Sequence, residues 1–135
     1  MSEENVEFVR DALAAWVEVD EGLTDPDRLN AFYAADAVFG GEILESEIRG
    51  GEAFLEWRTS WMEPYEDWSY GVDKVLDAGA NRVLVSFHQR GKLRGSESWV
   101  DMRYAIVYTV KDGAITRAWV YATPEEALAA VGLSE

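Results

Sequence analysis

Val6, Val9, Leu13, Trp16 and Val17 recur at three- and four-residue steps, with Glu7, Arg10, Asp11 and Glu18 between them, so the spacing predicts an amphipathic helix over residues 4 to 20. Gly22-Leu-Thr interrupts the pattern. Asp25-Pro26 then pairs an N-cap with proline at the first helical position, predicting a second helix that turns Leu29, Phe32 and Tyr33 inward and ends near Asp36. Ala37-Val-Phe39 reads as a short strand stopped by Gly40-Gly41, and Glu42 to Arg49 as a loose second pass. A third helix is predicted from Glu52 to about Met62, opened by Gly50-Gly51, closed by Pro64, and carrying Phe54, Trp57 and Trp61 on one side.

Beyond Pro64 the period changes from helical to alternating. Trp68 to Asp77 and Arg82 to His88 read as two strands joined by a turn at Ala78-Gly-Ala-Asn81. A longer pair follows, Trp99 to Val110 and Ala114 to Ala122, with turn chemistry in Lys111-Asp112-Gly113. Each arm exceeds the usual five or six residues, so the sheet should be strongly twisted and wrap around the helices. Thr123-Pro-Glu-Glu126 combines a capping box with a first-turn proline and predicts a short final helix ending at Gly132. Helices first and a curved meander afterwards define an α+β class.

Composition narrows the picture. At 135 residues, 48% of them hydrophobic, the chain suits one domain spanning 1–135 with its own core. It has no cysteine and one histidine, which removes disulfides, thiol nucleophiles and cysteine- or histidine-rich metal sites. The start of the chain is acidic where a secretory signal is basic, and no run approaches the roughly twenty apolar residues of a membrane span, so a cytoplasmic protein with no membrane association is expected. A net charge of −14 argues against nucleic acid as a partner, since phosphate backbones are bound by clustered Lys and Arg. One basic island interrupts the acidity, His88-Gln-Arg90-Gly-Lys92-Leu-Arg94. Its first reading is a solvated hairpin end; the functional alternative is a cationic rim that steers an anionic substrate.

Four local patterns, in this order, resemble the nuclear transport factor 2-like superfamily and most closely its SnoaL-like branch: Phe32-Tyr-Ala-Ala-Asp36-Ala-Val-Phe39, Ile48-Arg-Gly50-Gly-Glu52-Ala-Phe54, Arg103 to Ile115, and Tyr121 to Leu128. The resemblance covers nearly the whole chain. It implies a cone in which a curved, mainly antiparallel sheet and the N-terminal helices enclose an apolar pocket, a short C-terminal helix, and often a homodimer. Relatives of this kind include steroid isomerases, limonene epoxide hydrolases, polyketide cyclases and proteins without catalysis, so the fold alone selects no reaction. The resemblance places the general base of ketosteroid isomerases at Gly41, and their protonated acid at Ala105 or Tyr104. The limonene epoxide hydrolase tyrosine, asparagine and aspartate fall on Phe39, Gly41 and Val120. Neither established mechanism has its residues here, and Glu42 replaces the missing base only through a one-residue slip, which would reverse its side-chain direction.

The resemblance therefore implies a small apolar ligand and no cofactor, with a cofactor-independent isomerase, cyclase or hydrolase on one side and a non-catalytic ligand-binding or dimerisation module on the other. Trp16, Phe39, Trp57, Trp61, His88, Tyr104 and Val120 are the candidate pocket walls, large aromatics beside small residues that leave concave space. Which face of the last two strands lines the cone stays open, because one bulge reverses it. His88 and Asp101 are the catalytic candidates. As a base, His88 would sit at the pocket mouth near Asp101 or Asp73; its plainer reading is a surface or satisfied core histidine. Asp101 and Arg103 share a strand face and read first as cross-strand partners. Asp36 reads as a hydrogen-bonding residue of the turn after the second helix. Trp119 and Tyr121 on the last strand would form a sheet-to-sheet homodimer face.

Overall fold

The computed structural model describes residues 2–42, 44 and 46–133. Helix α1 (Ser2–Asp20) opens the fold, followed by a short 3-10 helix (Pro26–Ala31), strands β1 (Tyr33–Gly41) and β2 (Ile48–Arg49), and helix α2 (Gly51–Met62). Strands β3 (Tyr65–Gly79), β4 (Arg82–Leu93), β5 (Trp99–Lys111) and β6 (Ala114–Tyr121) make the long meander, and helix α3 (Pro124–Ala130) ends it. The six strands form one sheet in the order β2-β1-β6-β5-β4-β3. It is antiparallel except where β1 runs parallel to β6. Among the described residues no helix is long and apolar enough to cross a membrane.

The second predicted helix is the main correction. Asp25 does cap it, accepting from the Asp27 N–H at 2.9 Å, with proline at the first positions. It stops at Ala31, and Tyr33 already starts β1. Alanine-rich 34–37 has the local propensity of a helix, but parallel pairing with β6 on either side of it, Tyr33 with Ile115 and Val38 with Arg117, keeps it in the strand, beginning with Ile115 N–H donating to the Phe32 carbonyl at 2.7 Å. Asp36 is accordingly an exposed residue of β1 and not a turn cap. Of the second pass read over Glu42 to Arg49, residues 43 and 45 lie outside the described residues, and the pairing seen is Val38 with Arg49 and Phe39 with Ile48.

The two faces of the sheet carry different cores. On the concave face, Val9 and Ala12 of α1 meet Ala37, Phe39, Val83, Val85, Phe87, Tyr108 and Val120. On the convex face, α3 lays Ala127 and Leu128 over Leu84, Ala105 and Val107. Thr123 caps that helix, accepting from the Glu126 N–H at 3.1 Å. Val17, read as part of the apolar stripe of α1, is exposed. Trp119 lies on the convex face across Gly40, where a Cβ would meet its ring, and the Arg117 guanidinium stacks 4.0 Å above it.

Bulges settle which residues face inward. In β3 the register shifts between Val72 and Lys74, so Asp73 is an extra residue that joins the convex side while Trp68 and Tyr70 stay on the concave one. A second shift, opposite Thr109 and Val110, makes Thr116 of β6 the extra residue, so Ile115 joins Ala118 and Val120 in the concave core beside Val110.

Gly41 ends β1 at a φ of +117°, and a Cβ there would collide with the Val120 carbonyl and amide of β6. Both terms exclude side chains. Gly41→Ala should therefore cost about 2–3 kcal/mol in urea unfolding, whereas Gly95→Ala, at +68° with open space around it, should cost about 1 kcal/mol or less. Equal losses would show that β6 gives way and that the contact with Val120 is soft.

Candidate functional site

The concave side of the sheet and the two main helices enclose a cavity of about 100 Å³. Helical spacing builds one wall. Phe54, Trp57 and Trp61 sit at three- and four-residue steps on α2 and stack with Phe39 of β1 in a column, with ring centroids 4.1, 5.8 and 5.5 Å apart and planes 12°, 20° and 18° from one another. The opposite wall is a row across three strands. Trp68 stacks on Tyr70 at 5.5 Å, Tyr70 leans on Phe87 at 6.3 Å, and Phe87 stacks on its cross-strand partner Tyr104 at 5.1 Å. Trp16 and Val120 complete the enclosure.

Polar groups enter this apolar slot at defined points. Arg58, four residues after Phe54, donates from Nη1 to Asp20 Oδ1 at 2.6 Å and from Nη2 to Oδ2 at 2.8 Å. Both side chains are largely covered, at 17% and 18% exposure. The guanidinium lies between the Trp16 ring at 4.4 Å and the Trp68 ring at 5.4 Å, and Tyr70 adds its hydroxyl to Asp20 Oδ2 at 3.2 Å. Burial opposes the Arg58 charge, but the hydrogen bonds and field of Asp20 more than offset it and hold its pKa above the ordinary value. The Trp16 indole N–H donates to the Tyr33 hydroxyl at 3.0 Å.

Three further groups line the slot and make no hydrogen bond to protein among the described residues, the Tyr104 and Tyr108 hydroxyls and the Gln89 amide; since no fully buried side-chain polar atom there is unsatisfied, these groups reach the open space of the slot. Gln89 is only 5% exposed and Tyr108 only 4%. Burial pushes the Tyr33 and Tyr104 phenols up to about 12, and it raises those of Tyr70 and Tyr108 as well. All four stay protonated near neutral pH. What the arrangement can do chemically is donate hydrogen bonds to a ligand oxygen in an aromatic-walled slot.

Of the sequence-stated pocket walls, Trp16, Phe39, Trp57, Trp61, Tyr104 and Val120 line the cavity. His88 does not. It follows Phe87 on β4, so it points to the convex face, where its side chain is 56% exposed and Nδ1 donates to Asp73 Oδ1 at 2.7 Å. Arg103 donates to the other Asp73 oxygen at 3.3 Å. The His88 hydrogen bond, with Arg103 beside it, holds the Asp73 carboxyl below its usual range. Asp101 is also convex, 75% exposed, and pairs with Arg90 at 3.2 Å. The two catalytic candidates thus sit across the sheet from the cavity.

The basic island is the last part of β4 and the start of the hairpin turn at Arg94, and each of its basic side chains is engaged. Arg90 meets Asp101 and stacks 4.3 Å over Trp99, Lys92 meets Glu66 at 2.9 Å, and Arg94 donates to the Glu63 carbonyl at 2.7 Å. Glu42 is occupied too, accepting from the Ala122 N–H at 2.6 Å. Arg58 was the residue missed in the sequence, although a cation four residues from Phe54 and three before Trp61, on an otherwise apolar stripe, was the available signal. Among the described residues no group of three or more His, Asp or Glu side chains could hold a metal ion.

A curved sheet wrapped on helices around an aromatic slot defines the architecture, and the sequence defines the family. The chain belongs to the SnoaL-like domain family, whose model matches residues 9–118. A comparison with curated proteins returned no match. Among solved structures, a proposed SnoaL-like polyketide cyclase from Jannaschia sp. CCS1 superposes with a TM-score of 0.75 at 15% identity, covering 100% of this chain and 96% of that one. AclR, a proposed hydroxylase from Streptomyces galilaeus, gives 0.67 at 16% identity over 98% of both chains. TerC, co-crystallised with polyporic acid, gives 0.70 at 14% identity over 95% of this chain and 98% of that one. At these identities the likeness is one of fold.

Two outcomes follow from this geometry. Arg58→Met leaves the Asp20 carboxylate with the Tyr70 hydroxyl but without its cation and should destabilise the protein by about 1–3 kcal/mol, allowing for the residual solvent contact of the pair; unchanged urea unfolding would remove the pair from the account of how α2 is held. The second concerns pH. Tyr33 and Tyr104 ionise at the ordinary value of 10.0 when unfolded but only at about 12 when folded, so the stability they contribute is full below pH 10 and is lost as pH climbs toward 12. Tyrosinate absorbance should show a late-titrating group that ionises together with loss of structure. All six tyrosines titrating together near 10 in the folded protein would contradict it.

Proposed function

We propose that the slot binds a flat, apolar small molecule carrying a carbonyl or phenolic oxygen, with the ring held between the two aromatic rows and the oxygen received by Tyr104, Tyr108 and Gln89. One observation carries this reading: hydrogen-bonding groups of largely buried residues open onto an aromatic gap and make no bond to protein, which leaves them available to a ligand. That TerC, a protein of the same fold, was co-crystallised with polyporic acid agrees with this ligand class. A free volume of about 100 Å³, below the ~300–1,000 Å³ of drug-sized pockets, suits a single ring.

Of the isomerase, cyclase and hydrolase chemistries, the step with its donors in place is polarisation of a carbonyl by protonated tyrosines, with no cofactor required. Proton abstraction has no group in the lining: among the described residues the slot holds no histidine, and Asp20 at its edge is engaged by Arg58 and Tyr70. Gly41 favours the second reading, a ligand-binding module without turnover, because the position that resembles the isomerase base is closed to any side chain by Val120.

4-Hydroxyacetophenone, one ring with both kinds of oxygen, tests the binding. It should quench tryptophan fluorescence saturably, and Tyr104→Phe and Tyr108→Phe should each weaken it about 5–10-fold, the scale of one hydrogen bond. No saturation at millimolar concentration, or equal binding by both variants and wild type, would end the reading.

A further inference from the structure

A second cavity, of about 400 Å³, opens on the other side of Phe54, between the 3-10 helix, β1 and the start of α2. It shares Trp16, Tyr33, Phe39 and Phe54 with the first, so those rings are a common wall and not the outer boundary of either space. Phe54 is the centre of that wall. It is half-buried, stacks on Phe39 at 4.1 Å, meets Trp16 edge-on at 5.9 Å, and belongs to a helix that has no fully buried residue.

That helix has no side-chain cap at the end nearest the second cavity, where the Gly50 N–H donates to the Ala37 carbonyl at 2.9 Å. Its N-cap, Gly50, has a φ of +87°, and the Arg58 ion pair fixes its second half. A rotation of the Phe54 side chain, or a small shift of the first turn of α2, would join the two spaces. Added to the first, the second brings the free volume into the range usual for ligand pockets.

We infer that the two cavities are one binding channel divided by Phe54, and that the ligand is a flat oxygenated ring with an unbranched, uncharged apolar tail. The ring occupies the aromatic slot, and the tail passes Phe54 along Leu29 and Leu55 toward the second opening. Asp27 and Glu52 stand at that opening, so a tail ending in an anion is disfavoured. This inference rests on the ring-binding reading above and adds the part of the ligand that sets its selectivity. Phe54 becomes the specificity-determining residue.

A series of 4-hydroxyphenyl alkyl ketones with two to eight carbons in the acyl chain tests it by fluorescence titration of the intact protein. Affinity should rise about 3–4-fold per added methylene over the first several carbons, the scale of burying one methylene. Phe54→Ala should bind the long members more tightly still. Ala34→Phe and, on the exposed 3-10 helix, Asn30→Trp fill the second cavity only, and both should flatten the series while 4-hydroxyacetophenone itself binds within about twofold of wild type. Replacing the tail end by a carboxylate should cancel the gain. If 4-hydroxyacetophenone binds but its longer homologues bind no better, or if the rise persists in both filled variants, the channel is overturned while the ring site stands. If no member of the series binds, both fall.

Discussion

The Asp20–Arg58 pair joins the last residue of α1 to the middle of α2 and, through Tyr70, to β3. The rest of the cavity depends on it. Helix α2 has 12 residues, no side-chain N-cap, no basic residue in its last turn and no fully buried side chain, so it would not persist from its own sequence. What holds it is the ring column against Phe39, with each stacked pair contributing about 0.5–1.5 kcal/mol beyond area burial, and the ion pair seated between Trp16 and Trp68. Placing a cation in an apolar wall is costly unless it is paired with good geometry. Here two short hydrogen bonds and two indole faces meet that condition, and the result is a wall anchored at Arg58.

The curvature of the sheet separates chemistry by face. Asp73, as the bulged residue of β3, reaches the convex side and gathers His88 and Arg103 about one carboxylate. The composition of that cluster resembles a catalytic dyad, yet it lies on the convex surface, lining neither cavity, where water competes for its bonds. The concave side has the reverse character: many rings, and hydroxyl donors with raised pKa values. Proximity of a histidine to an aspartate is thus less informative than the side of the sheet on which they meet.

How much of this could be read in the residues follows from the range of each signal. Amphipathic spacing in α1 and α2, the capping box of α3 and the Lys111-Asp112-Gly113 turn are local, and each is where the periodicity put it. Residues 33–36 were misread as helix because their strand state comes from β6, about eighty residues later in the chain, and alanine propensity gives no hint of it. The aromatic lining was legible because large rings on one helical face must be covered by something. His88 was misplaced for a related reason: strand parity is a local property only until a bulge or an unknown starting face intervenes, and the composition of β4 does not say which face is concave.

The closest approach of backbones explains why the site lacks a base. β1 runs parallel to β6 and must end against it, with Gly41 opposite Val120. Parallel pairing at that depth brings the Val120 carbonyl into the space a Cβ would fill, and the φ of +117° is one that L side chains rarely adopt. An aspartate could be held there only by moving β6, which would carry Ala118 and Val120 out of the cavity wall. The same contact that closes the wall therefore excludes the carboxylate, and whatever proton transfer the slot supports must begin from the ligand or from its tyrosines.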